Sequence, residues 1–252
     1  MKVLTELREQ KILQMLNQKK IIRLEELTAS TGASIATIRR DVRKLEDQGA
    51  LVRLHGGVKL IEASLQEEPD FNSKAHAHVD EKVRVGKKAA QLVKSNEVIF
   101  VDAGTSTEQL VKYLNPKIDV LVVTNSVNIA NNLSEREIET YILGGKLKLS
   151  TRAITGMEVL EQISNLNFDR AFIGINGVTL KNGLTTPDPQ EAEIKKMVLK
   201  HSKKAYCMLD YSKFDTTTFA KVADVEEVEL IAEKYPDWVL NNQNIQYVEV
   251  DK

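Results

Sequence analysis

The sequence predicts an α/β protein in two parts, a small N-terminal unit followed by a larger parallel α/β unit. Three observations carry this. An amphipathic helix over 35–47 runs straight into an apolar hairpin over 51–60. Beyond residue 79, short apolar runs alternate with helical patterns. The charge divides at the same place. Residues 1–60 hold 12 Lys and Arg against 7 Asp and Glu, a balance of +5; the whole chain is −1, from 35 against 36, so the remainder carries −6.

The first unit can be justified element by element. Glu6 to Asn17 carries Leu7, Ile12, Met15 and Leu16 at helical spacing. Ile21 and Ile22 form a short strand. Leu24 to Thr31 is a second helix with Leu24 and Leu27 inward, and Thr31-Gly32-Ala33-Ser34 is a turn. In the helix that follows, Ile35, Ile38, Val42 and Leu45 fall on one face, since each residue turns by ~100°. Ser34 is placed to cap it, and Gly49 to stop it. The opposite face shows Ala36, Thr37, Arg40, Arg43 and Lys44, with Arg39 on its flank. Gly56-Gly57 supplies the positive φ angles of a tight hairpin, and Arg53, His55 and Lys59 put donors along it. Helix, strand, helix, turn, helix and two-stranded wing is the order of a winged helix-turn-helix. Small residues at the helix N-terminus and arginines behind them suit a major groove. The expected DNA-contacting residues are therefore Ser34, Ala36, Thr37, Arg39, Arg40, Arg43, Lys44, Arg53 and His55. A basic end on an acidic body fits a nucleic-acid-binding module joined to another domain.

The division expected is 1–60 for this unit, 61–78 for a linker containing Glu67-Glu68-Pro69-Asp70, and 79–252 for the second unit. The second unit opens with a helix over 80–94. Strands are expected at Val98–Val101, Val120–Val123, Tyr141–Leu143, Ala171–Ile175, Ala205–Leu209 and Val228–Ile231. Helices are expected over 107–114, 127–133, 157–165 and 189–201. Such alternation argues for a parallel sheet covered on both faces.

Polar clusters recur where those strands end, and open α/β sheets bind ligands beyond their carboxyl ends. Asp102-Ala103-Gly104-Thr105-Ser106-Thr107 opens a helix, where free N–H groups and hydroxyls suit a phosphate. Thr124-Asn125-Ser126, Gly144-Gly145-Lys146, Asn176-Gly177 and Asp210-Tyr211-Ser212-Lys213-Phe214 follow the other strands. The ligand this describes has an anionic group and several hydroxyls, as a sugar phosphate has.

The chain of 252 residues is long enough for a small and a larger domain. It has no run of about 18 apolar residues and no apolar segment near Met1, so neither a membrane span nor a signal peptide is expected, and the cytoplasm is the expected compartment. The single Cys207 lies in an apolar run and reads as a buried strand residue. His76 and His78 lack a third and fourth ligand nearby, so no metal site is expected.

These residues resemble a known family. Thr37-Ile38-Arg39-Arg40-Asp41, Leu45-Glu46, Gly49 and His55-Gly56-Gly57 are similar to the DNA-binding signature of DeoR-family bacterial transcriptional regulators. Asp102-Ala103-Gly104-Thr105, Thr124-Asn125, Gly144-Gly145, Phe172-Ile173-Gly174, Glu191-Ala192 and Asp210-Tyr211-Ser212-Lys213-Phe214 are similar to the sensor domain of that family. The resemblance implies a sensor related in fold to ribose-5-phosphate isomerase and CoA transferases. It implies repression of sugar-catabolism genes, relieved by a phosphorylated sugar. The Asn176-Gly177-Val178 and Thr185-Thr186-Pro187 region looks most like fructose-operon repressors, with lactose/tagatose-type repressors next. With it, the expected effector-binding residues are Asp102, Gly104, Thr105, Ser106, Thr107, Thr124, Asn125, Gly144, Gly145, Lys146, Asn176, Glu191, Asp210 and Lys213. Asp215 stands where the family commonly has glycine, and its carboxylate beside Lys213 would weaken phosphate binding.

A ligand-controlled repressor is thus the first reading. Its partners are double-stranded operator DNA and a sugar-phosphate effector; no cofactor and no membrane are expected. One winged helix reads a short half-site, so a homodimer or higher homo-oligomer is expected. The alternative is a sugar-phosphate isomerase with an accessory DNA-binding module, in which Asp102, Glu191, Asp210 and Lys213 do acid–base work. A structural adaptor would leave the strand-end clusters unexplained.

Overall fold

The computed structural model describes residues 2–47, 50–60 and 64–250. They form two compact units, Met1–Ser64 and Leu65–Lys252. The first follows the expected order: α1 (Lys2–Lys19), β1 (Ile21–Arg23), α2 (Leu24–Thr31), α3 (Ile35–Asp47), β2 (Leu51–Leu54) and β3 (Gly57–Leu60). Its core holds Ile12, Leu16, Ile22, Leu27, Ile38, Val42, Leu45, Leu51 and Val58. Leu24 and Met15 pack at its margin. Two expected core residues do not reach it. Leu7 is 57% exposed, and Ile35, which opens α3 one turn ahead of Ile38, is 40% exposed. The expected stop at Gly49 lies outside the described residues.

β3 is the middle strand of the wing, pairing antiparallel with both β2 and β1. This changes the account of the two glycines. Gly56 alone takes a positive φ, +78°. Gly57 is needed for space, because a Cβ there would sit 2.8 Å from the Ile22 carbonyl oxygen across the sheet.

α3 also buries a charge. Asp41 is 2% exposed, on the same face as Ile38 and Val42. Arg8 of α1 reaches it with two hydrogen bonds, Nε to Oδ2 at 2.5 Å and Nη2 to Oδ1 at 3.2 Å. A fork of this kind fixes both distance and rotation between two helices.

The second unit continues with α4 (Phe71–His76), α5 (Val79–Leu92), β4 (Glu97–Val101), α6 (Thr105–Tyr113), β5 (Val120–Thr124), α7 (Val127–Ser134), β6 (Thr140–Ile142), β7 (Lys146–Lys148), β8 (Ala153–Thr155) and α8 (Met157–Ser164). β9 (Arg170–Gly174), β10 (Gly177–Thr179), β11 (Gly183–Thr186), α9 (Pro189–Lys200), β12 (Ala205–Met208), β13 (Ala220–Ala223), β14 (Glu229–Ile231), α10 (Asp237–Leu240) and β15 (Gln246–Val248) complete it. Seven strands form one sheet in the order β15-β14-β12-β9-β4-β5-β6, with every pairing parallel.

Successive residues of its strands feed opposite faces. Phe100, Ala171, Ile173, Cys207 and Leu230 join Val159, Ile163, Ile194 and Val198 of α8 and α9. Ile99, Val101, Phe172, Tyr206 and Met208 join Val85, Ala89, Leu110 and Ile129 of α5, α6 and α7. Burial on both faces explains the unbroken apolar runs. Cys207 is buried, and burial pushes its thiol pKa up, away from any reactive thiolate.

The stretch expected to be a linker differs. Residues 65–78 belong to the second unit and contain α4, which Asp70 caps by accepting from Ser73 N–H at 2.8 Å. The acidic run hides this helix, because its carboxylates serve as a cap and as ion-pair partners. The hairpin β7–β8 and the small sheet β10-β11-β13 were also unexpected; their strands are too short for a period-two signal.

The Arg8–Asp41 fork leads to a stability prediction. Arg8→Ala leaves a buried carboxylate without its partner, which costs about 3–5 kcal/mol. Denaturant titration of the full chain should show an early transition displaced to lower denaturant by that amount. A shift below about 1 kcal/mol, the range of exposed pairs, would show that the fork does not hold the two helices together.

Candidate functional site

In the first unit, the residues expected to contact DNA occupy the solvent side of α3 and the wing. Ser34 caps α3 by accepting from Thr37 N–H at 3.2 Å. Ala36, Arg39, Arg40, Arg43 and Lys44 are exposed and Thr37 is half-buried. Arg53 and His55 are exposed on the hairpin. Their charges are not equivalent. Lys44 Nζ holds both oxygens of Glu9 at 2.8 Å, and Arg53 Nε holds Glu46 Oε2 at 2.5 Å. Among the described residues, Arg39, Arg40 and Arg43 are in no ion pair. On the solvent side of α3, the cations outside any ion pair are therefore these three arginines.

In the second unit the order in which strands are added reverses between β4 and β9. From β4 the chain steps outward through β5 to β6, then returns to β9 and steps outward through β12 to β14. Side chains and backbone there cannot be covered by a crossover helix, which makes the carboxyl end of this pair the natural ligand crevice. A cavity of about 220 Å³ opens there. It is lined by Ala103–Ser106 after β4, Gly174–Asn176 after β9, Met208–Asp210 after β12, Ser212 and Lys213, Glu191 and Lys195 of α9, and Lys82 of α5. Glu68, Pro69, Phe71, Ser73, Lys74, Ala77 and His78 close one side.

Asp102 holds the crevice together. It is buried, and Oδ2 accepts from Gly174 N–H at 3.0 Å and from the buried Lys195 ammonium. Burial works against the Lys195 charge; Asp102 first, then Glu191 and Glu68, more than offset it, so its pKa lies above the usual lysine range. Asp102 is thus committed to the frame and does not line the cavity.

The α6 N-terminus faces the cavity uncapped. Gly104 precedes its first turn and no side chain accepts from it. Thr107 is buried and turns its hydroxyl back to the Asp102 and Gly104 carbonyl oxygens at 2.6 and 2.9 Å. Thr124 donates to the Val101 carbonyl, and Asn125 braces the site by accepting from Ala103 N–H at 3.0 Å and donating to the Ile154 carbonyl at 3.3 Å. Gly144 pairs with Gln162, and Gly145 and Lys146 lie at the β7–β8 hairpin. The structure therefore brings Gly104, Thr105, Ser106, Asn176, Glu191, Asp210 and Lys213 to the cavity. It places Asp102, Thr107, Thr124, Asn125, Gly144, Gly145 and Lys146 outside its wall. Asn125 and Asp102 are one layer behind, where small-residue strand ends serve support as readily as contact.

Besides Lys195, three lysines line the cavity, of which Lys213 alone was expected. Lys82 is 4% exposed and donates to the Lys74 carbonyl and, at 2.7 Å, to that of Ala77. Burial pushes its pKa down to about 8; Asp210 and Glu81 act the other way, and Lys213 and Lys74 push with burial. Lys74 is paired with Glu68 at 2.7 Å, yet burial still lowers its pKa. The signal for Lys82 was its place opposite the charged side of an amphipathic helix, next to Val85 and Ala89. Nothing in the sequence pattern marked Lys74.

Asp210 faces them. Its Oδ1 accepts from Ser212 N–H at 3.1 Å and Ser212 Oγ at 2.5 Å. Its Oδ2 is buried without a hydrogen-bond partner. Burial opposes its charge, but Lys213, His78, Ser212 and Lys82 outweigh it and hold its pKa below the usual carboxylate range. An ionised, unsatisfied acceptor in a cavity wall suits a ligand hydroxyl. Glu191 is less available: it accepts from Thr151 Oγ1 at 2.8 Å and Lys148 Nζ at 3.0 Å. Among the described residues, Asp215 and Lys213 form no ion pair. Its carboxylate accepts from Trp238 Nε1 at 2.9 Å, and its φ of +57° explains why glycine suits that position.

Comparison with known proteins agrees with both halves. Residues 8–64 match the DeoR-like helix-turn-helix domain and residues 77–234 the DeoR C terminal sensor domain. The chain is 35% identical over 240 residues to the uncharacterized HTH-type transcriptional regulator FruR of Bacillus subtilis (strain 168), covering 95% of each chain. It is 28% identical to the lactose phosphotransferase system repressor of Staphylococcus epidermidis (strain ATCC 35984), covering 95% of this chain and 96% of that one. Ribose 5-phosphate isomerase A of Methanocaldococcus jannaschii shares 19% identity and a TM-score of 0.42 over 55% of each chain. A winged helix-turn-helix matched over its length and an α/β sensor matched over most of its own place the chain in the DeoR family of helix-turn-helix transcriptional regulators.

Proposed function

We propose that this protein represses a sugar-uptake or sugar-catabolism operon and leaves its operator when a phosphorylated sugar fills the cavity of the second unit. The observation that carries the reading is the cavity's pairing of Lys74, Lys82 and Lys213 with an uncapped helix N-terminus and the free Oδ2 of Asp210. Cations and N–H groups suit a phosphate dianion; the carboxylate suits a sugar hydroxyl. Fructose 1-phosphate is the first choice of effector. A lactose-type sugar phosphate is the second, favoured by the likeness to the Staphylococcus epidermidis repressor. The α3 face and wing bind the operator, and a homodimer or larger assembly supplies a second half-site.

Arg40 lies centrally among the unpaired arginines of α3. Arg40→Ala should cost about 1–3 kcal/mol of operator affinity and relax base preference. Gel-shift titration against a set of operator variants measures both, and unchanged values would take Arg40 off the reading surface. Salt gives an independent check. Log affinity should fall against log salt with a slope of about −0.9 per phosphate neutralised, whereas a flat response would mean that the basic face is turned from DNA.

Effector binding should depend on pH. Lys82 must be protonated to hold a dianion, and burial lowers its pKa to about 8. The groups facing it are Asp210, Glu81, Lys213 and Lys74. Above pH 8 binding must take up a proton, so affinity falls toward about tenfold per pH unit. Below about pH 6 the sugar phosphate loses its second charge and affinity falls again. Calorimetry with fructose 1-phosphate from pH 5 to 9.5 should trace this bell, and fructose itself should not bind. Equal affinity at pH 7 and 9.5 would remove Lys82 from the phosphate site.

A further inference from the structure

Residues 65–76 lie between the two family matches, which end at 64 and resume at 77, yet this strap forms one wall of the cavity. Lys148 of β7, two residues beyond the expected Lys146, stands behind that wall. Its Nζ meets Glu68 Oε2 of the strap at 2.7 Å, Asp188 Oδ2 at the cap of α9 at 2.8 Å and Glu191 Oε1 in the first turn of α9 at 3.0 Å. One ammonium thus joins carboxylates from two segments that are far apart in sequence. Burial works against its charge; Asp188, Glu68 and Glu191 more than offset it, so its pKa lies above the usual lysine range. Burial also opposes the charges of Glu68 and Asp188. Lys148, with Lys74 at Glu68, outweighs it and holds both below the usual carboxylate range.

The charges of the cavity wall give this cluster its consequence. Four lysines line the cavity, Lys74, Lys82, Lys195 and Lys213, together with three carboxylates, Glu68, Glu191 and Asp210. Lys195 is already held by Asp102. Three ammonium groups then face three carboxylates, a formal balance of zero. A wall neutral by that count attracts a dianion only weakly unless its carboxylates are neutralised from outside the cavity. Lys148 does this for two of the three, Glu68 and Glu191. Asp188 does not line the cavity and competes with them for the same ammonium.

We propose that Lys148 is a positioning residue of the effector site: from behind the wall it neutralises Glu68 and Glu191 and so keeps the cavity receptive to an anion. This rests on the sugar-phosphate reading above. Lys148 does not touch the ligand. Its loss leaves two wall carboxylates with one cation fewer. Glu68 then claims more of Lys74, Glu191 more of Lys195, and both repel an entering phosphate.

The test measures fructose 1-phosphate affinity by calorimetry at pH 7 on the full-length protein and four variants. Lys148→Gln should weaken binding roughly tenfold or more, the effect of one charge a few ångströms behind the site. Lys148→Arg, which keeps the charge, should stay within about threefold of wild type. Glu68→Gln should strengthen binding, and by a larger factor in the Lys148→Gln background than in wild type, because Lys148 otherwise masks that carboxylate. A lysine that merely braced the wall gives the opposite sign: a second lost anchor would weaken binding further. If Lys148→Gln does not fold, Asp188→Asn decides. It keeps a capping oxygen and frees Lys148 for the two wall carboxylates, so tighter binding supports the proposal and unchanged or weaker binding overturns it. If the sugar phosphate binds wild type, yet Lys148→Gln binds equally well or Glu68→Gln gains no more in its background, the role of Lys148 is overturned and the effector reading stands. If no sugar phosphate binds wild type, the effector reading falls. Inorganic phosphate then decides for Lys148: weaker binding to Lys148→Gln than to wild type supports the role, and equal binding or none overturns it.

Discussion

The buried Asp102–Lys195 pair is the contact on which the second unit's site depends. β4 and β9 are neighbours whose crossovers leave in opposite directions, so no helix covers their carboxyl ends. Something must hold those ends in register around a water-accessible gap. Asp102 does so by accepting from the Gly174 backbone, and Lys195 of α9 completes the charge. Removing either alone would strand the other in a low-dielectric setting at about 3–5 kcal/mol, a large part of a domain's net stability. Asn125 extends the same brace to β5 through Ala103. The cavity wall is thus set by Asp102 and Asn125, which stand behind it, together with Lys195, which lines it.

Much of this was legible beforehand. The order of elements in the first unit follows from apolar spacing and turn chemistry, and the parallel sheet follows from apolar runs alternating with helical periods. What periodicity could not separate was contact from support. Asp102, Thr107 and Asn125 carry the same small polar signature as Thr105, Ser106 and Asn176. Which group reaches the cavity depends on a rotation of about 100° along α6, or on whether a carboxylate has found a buried ammonium. Lys74 was hidden for another reason. Its role comes from a fold of the strap that local sequence does not encode, since α4 is only six residues long and is fixed by Asp70 and by ion pairs to distant strands. Asp41 was legible in principle: a charge at the i+3 position from Ile38, on the buried stripe, needs a partner, and Arg8 was the basic residue a helix away.

Both units also manage positive charge in the same way. On α3 and the wing, Glu9 and Glu46 take up Lys44 and Arg53, so the cations of α3 left outside an ion pair are Arg39, Arg40 and Arg43. That suits reading of base edges by planar forks more than diffuse attraction. In the cavity, Glu68 takes up Lys74, and Lys82 donates to carbonyl oxygens while burial lowers its pKa. Three ammonium groups close together in a partly buried wall are mutually unfavourable, and burial adds to the strain. The carboxylates and carbonyls that relieve them are weaker partners than a phosphate dianion would be. The sugar-phosphate reading proposed above would draw on that difference. That difference is the free energy available to act on the rest of the chain.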